Sequence, residues 1–91
     1  MITIEDCIGL SDLREDEILA LAEHEHIPEI AAAALGAYLL HEDHGPEKIK
    51  AMIEDDIRAA VARGDQMHAA ELFMALRHFL YDHKDVLTGQ N

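Results

Sequence analysis

The chain has 91 residues and a mass of 10.2 kDa, with 49% apolar and 29% charged residues, the balance of one globular domain rather than two. Nineteen acids against seven bases leave a net charge of −12 with neutral histidines, which argues against a nucleic-acid backbone or an anionic membrane surface as partner, since both attract Lys and Arg. No run approaches the ~18 apolar residues of a membrane span, the start Met1-Ile2-Thr3-Ile4-Glu5-Asp6 lacks the basic stretch of a secretory signal, and the lone Cys7 can close no internal disulfide.

In chain order, every segment reads as helix. Thr3 caps a short leading turn, with Asp6 three residues on, and Gly9 ends it. Ser11 or Asp12 starts the first long helix, whose early turns hold Glu15, Asp16 and Glu17, where the helix dipole favours negative charge. It is expected to run to about His26. Pro28 suits the first position of a second helix, because its missing N–H would be unpaired there anyway. That helix runs to about His41, and His41 to Gly45 form a loop. Pro46 opens a third helix that reaches about Arg63, where Gly64 can take the left-handed conformation that closes it. Asp65 caps a fourth helix running to about Lys84, and residues 86–91 read as a frayed tail. The expectation is an all-α domain spanning 1–91: a compact bundle of four main helices behind a short helical turn. Its connections are short, which favours antiparallel neighbours.

The second helix stands out. Ile30 to Leu40 carries no charge anywhere around its circumference. Such a helix is normally buried on all sides, so it is placed at the centre, or half covered by a second chain. Ala33, Gly36 and Ala37 would let neighbouring backbones come close, and a buried Tyr38 would need a hydrogen-bond partner.

On the third helix Ile49, Met52, Ile53, Ile57 and Ala60 form the inward stripe, and Asp56 falls in its middle. A buried carboxylate there must find a partner or take up a proton. On the fourth helix Ala69, Leu72, Phe73, Leu76, Phe79 and Leu80 face inward. His83 continues that face as a C-terminal cap. Glu71, His78 and Asp82 form a stripe on the opposite, solvated side. The first helix turns Ile18, Leu21 and Ala22 inward, with Glu25 and His26 approaching that side at its end.

Two constellations could carry metal chemistry. Glu23 and His26 have the Glu-x-x-His spacing used in ferritin-like carboxylate-bridged bundles, but those need a second such pair, and Asp65 to His68 offers only an Asp variant. More loosely, His26, Asp56 and His83 all point inward and could together hold a divalent transition metal such as zinc, iron, nickel or copper. No glycine-rich phosphate loop, nucleophile elbow or Cys–His signature is present in the chain.

The leading expectation is therefore a small acidic cytoplasmic helical protein without catalytic activity. It would act through protein–protein contacts, with a basic partner suggested by the charge and a homodimer suggested by the second helix. Seven histidines also make the surface charge pH-dependent. The alternative is a His/carboxylate metal-binding protein using His26, Asp56 and His83. A mimic of nucleic acid built from ordered carboxylates rests on net charge alone.

Overall fold

The computed structural model describes residues 13–87. The leading turn at Thr3–Gly9, the caps at Ser11 and Asp12, Cys7 and the tail from residue 88 onward lie outside the described residues. Helix α1 spans Glu15–Glu25, α2 Glu29–Leu40, α3 Gly45–Ala62, α4 Gln66–Asp82 and the single turn α5 Lys84–Leu87. The described chain is all-α, as expected. None of its helices is long and apolar enough to cross a membrane.

Local chemistry sets the ends. Arg14 is the last extended residue before α1, and its N–H donates to Glu17 Oε1 at 2.9 Å, which satisfies one donor the helix start would otherwise leave open. His26 closes α1 in the left-handed region, at φ 58°. Pro28 sits one position earlier than expected, capping α2 rather than opening it. Gly64, at φ 81°, ends α3, and Asp65 Oδ1 accepts from the His68 N–H to begin α4. The expected fourth helix breaks at His83, and Lys84–Leu87 makes one further helical turn.

Helices α1 and α3 form the middle of the bundle. Each packs on both outer helices, whereas α2 and α4 do not meet. The molecule is a slab of 40 × 35 × 17 Å. Its core is built from Leu13, Ile18 and Leu21, from Ile49 and Ile53, and from Leu72, Leu76 and Phe79, with small residues between them. Gly36 of α2 lies against the Leu13 and Leu21 side chains, where a Cβ would collide with Leu13. Leu13 thus replaces a side chain that α2 does not have at that point.

Two packing expectations need correction. Helix α2 is not buried all round. Ala32, Ala33, Gly36 and Leu39 are covered, while Ile30 and Tyr38 are 52% and 61% exposed. With α4 beyond its reach, the described residues that cover it come from α1, α3 and Leu13. Phe73 is not in the core either: it is half exposed, and Ala75 occupies the inward arc with Leu72, Leu76 and Phe79. The inward face of α4 is centred nearer to α1 than the large side chains alone suggest, so Phe73 falls at its far edge.

Candidate interaction groove

Helices α1 and α4 run antiparallel, joined by three polar contacts along their length. Arg14 grips Asp82 with two parallel bonds, Nε to Oδ2 at 2.7 Å and the Nη2 amine to Oδ1 at 2.9 Å. His78 Nδ1 donates to Asp16 Oδ2 at 2.7 Å. His68 Nε2 lies 2.7 and 2.8 Å from the two Glu23 oxygens. On α1 the residues 16, 19, 20 and 23 recur at helical spacing, as do 68, 71, 72, 75, 78 and 82 on α4, so each set shares one face. The stripe of Glu71, His78 and Asp82 expected to be solvated is therefore largely a seam against α1. His78 and Asp82 take separate partners across the seam, Asp16 and Arg14.

Between these contacts lies a groove of about 350 Å3. Leu19, Ala20, Leu72 and Ala75 make its apolar lining, and Asp16, Glu23, His68 and Glu71 make the polar part. Ala20 and Ala75 are small and buried, which leaves the floor open; Leu19 is 42% exposed. At the His68 end, Nδ1 also faces Glu71 Oε1 at 3.1 Å. Both ring nitrogens thus meet acceptors, which only the imidazolium satisfies as a donor. The hydrogen bonds to Glu23 and then Glu71 raise the His68 pKa above its ordinary value. At the other end, Arg14 holds the Asp82 carboxyl below the usual carboxylate range, chiefly through their hydrogen bonds. Asp16 Oδ1 is buried and accepts no hydrogen bond among the described residues.

Under the seam sits Glu17, fully buried. Burial raises its pKa to about 7, even though its bond from the Arg14 N–H pulls the other way. Its Oε2 has no hydrogen-bond partner among the described residues. In the sequence Glu17 reads as one of three acids favoured by the helix dipole, and nothing more. The signal that marks it is its place beside Ile18 and Leu21 on the inward side.

The three residues expected as metal ligands have separate settings. His26 is exposed at the left-handed end of α1. Asp56 Oδ1 accepts from His24 Nδ1 at 3.1 Å, so the partner this carboxylate needs is a histidine of α1. His83 Nδ1 donates to the Phe79 carbonyl at 3.1 Å, with its ring 4.5 Å from the Phe79 ring. Among the described residues no group of three or more His, Cys, Asp or Glu side chains is arranged to hold a metal ion. Glu23 of the Glu-x-x-His pair is turned to His68 and not to His26. His41 of the loop donates to the Ala37 carbonyl at 2.8 Å and closes α2.

Comparison of the chain with protein-family models, with curated proteins and with solved structures finds no match.

Proposed function

We propose that the chain is a non-catalytic protein–protein interaction module, working in the cytoplasm, that seats a basic amphipathic segment of a partner in the α1–α4 groove. The observation carrying this reading is the combination in one place of an apolar floor, Leu19, Ala20, Leu72 and Ala75, with the acidic side chains Asp16, Glu23 and Glu71. An aliphatic side chain of the partner would fill the floor, contributing about 1.5–3 kcal/mol if fully covered. Lysine or arginine one helical turn away would reach Glu71, whose side chain is largely exposed. The net charge of −12 draws such a segment in and speeds encounter at low salt. The helix-in-groove mode of recognition uses this chemistry.

The test is an amide-resolved NMR titration with two synthetic helical peptides of the same leucine pattern, one filled out with lysine and the other with glutamate. The lysine peptide is expected to shift Leu19, Ala20, Leu72 and Ala75, more weakly as salt rises, and the glutamate peptide to shift none of them. Equal binding of both peptides, or no shift at the groove with either, would overturn the reading.

A further inference from the structure

A second surface lies on the other side of α4. Met67, Met74 and Tyr81 recur every seven residues, with Ala70 and Arg77 at the intervening positions and Phe73 alongside. This is the 3.5-residue seam of a helix that pairs with another helix. Yet among the described residues the seam is uncovered: Met67 is 76% exposed, Tyr81 69%, Phe73 52% and Met74 44%. In a chain of nineteen acids this stripe holds none, and Arg77 lies within it. Lys84, just beyond, places its ammonium 5.1 Å from the centre of the Tyr81 ring.

We propose that two copies of the chain associate through this face, α4 against α4 in antiparallel register. The inference is independent of the groove reading, because the groove uses the opposite side of the helix. Several features of the stripe favour a second copy. Antiparallel pairing matches the first seam position of one helix with the second of the other. In the register centred between residues 75 and 76, Tyr81 lies over Ala70 of the second copy, Met74 against the Arg77 stem and Met67 against Lys84, each layer occurring twice. A large side chain meets a small one where Tyr81 covers Ala70, so the two helices can approach closely there. The acid-free stripe lets two −12 chains approach at their least repulsive surface, while Arg77 enters the field of an acidic neighbour.

Area sets the strength. At roughly 150–250 Å2 per large side chain, the four exposed residues leave roughly 500 Å2 uncovered in each copy. Pairing would bury roughly 1,000 Å2 in total, at the low end for a specific interface. The expected dimer is thus weak and reversible, with a dissociation constant of roughly micromolar or above.

Sedimentation equilibrium over a concentration series tests this. The chain is expected to move from 10.2 kDa toward twice that mass as concentration rises. Met74→Glu, at a site 44% exposed in the described chain, should hold it at the monomer mass with unchanged helical circular dichroism. Ile30→Glu, on the exposed side of α2, should leave the association as it is. A wild-type chain that stays monomeric up to about millimolar concentration, the same association in Met74→Glu, or its loss in Ile30→Glu would each overturn the proposal. Orientation is read separately with Ala70→Cys in a Cys7→Ser chain. Antiparallel pairing leaves the two introduced thiols about 16 Å apart along the axis, too far for a disulfide. Efficient crosslinking between them would refute the antiparallel register.

Discussion

Replacing Glu17 with Gln tests whether the buried carboxylate under the α1–α4 seam opposes folding above neutral pH. Glu17 is fully buried, and burial moves its pKa from 4.5 to about 7. The unfolded chain releases this proton near pH 4.5, whereas the folded chain keeps it until about pH 7. Between those values the folded state binds the extra proton, so stability falls as pH rises, and the loss is complete above about 7. At about 1.36 kcal/mol per unit, the shift corresponds to about 3 kcal/mol. Glu17→Gln has no charge to bury and can still accept from the Arg14 N–H. Its amide group would meet the same lack of partner as Oε2 does now, a pH-independent cost of about 1–3 kcal/mol. The diagnostic is therefore the slope. Chemical denaturation from pH 4 to 8.5 should show the variant gaining about 3 kcal/mol on the wild type between pH 4.5 and 7, with a plateau beyond. In a domain of this size that is a change in the Tm difference of about 12–24 °C. A stability difference that stays flat across this range would refute the reasoning.

Other predictions address separate parts of the molecule. Glu23→Gln removes the negative charge of the first of the two acceptors on His68, so the His68 imidazole signals should titrate at lower pH by NMR while helical content is kept. Since the raised His68 pKa favours folding in its protonated form, that stabilisation is fully present below the ordinary histidine value and disappears as pH rises through the raised one. Gly45→Ala would drive a Cβ into the Leu39 carbonyl, a backbone group that cannot step aside, and should cost about 3 kcal/mol or more in a denaturant titration. Gly64→Ala meets no neighbour and should cost only about 1–2 kcal/mol, from the left-handed backbone. Phe79→Ala should cost about 3–5 kcal/mol, because the ring is fully buried. Phe73→Ala, at a half-exposed ring, should cost only about 1 kcal/mol of monomer stability. Equal losses for the two phenylalanines would show that the inward face of α4 is misplaced.

Elements that signal through one segment are legible in the sequence. Pro46, Gly64 and Asp65 mark helix ends by their own chemistry, and each stands within a residue or two of a boundary. The inward stripe of α3 is equally direct, with Ile49, Ile53 and Ala60 buried and Met52, Asp56 and Ile57 half-buried. Helix α2 is legible as a helix but not in its orientation. When every position from Ile30 to Leu40 is uncharged, periodicity prefers no face, and the neighbours decide. The polar seam is illegible for a different reason. His68 and Glu23, or His78 and Asp16, are 45 and 62 residues apart, and nothing in either helix alone sets the offset at which α1 meets α4. Asp56 lies between these cases. Its need for a partner can be read from its place on an apolar stripe, but the identity of that partner, His24, requires the packing of α1 on α3.

The failure of α2 and α4 to meet has a consequence for how this chain tolerates change. Substitutions at sites that share no partner combine with nearly additive effects on stability, within about 0.3–0.5 kcal/mol. A variant on the outer side of α2 and one on the outer side of α4 should thus behave as independent alterations. Alterations in α1, which touches both outer helices and α3, should show coupling with each of them. The two outer surfaces can then diverge without constraining each other, while α1 is held fixed by what packs on it from three directions.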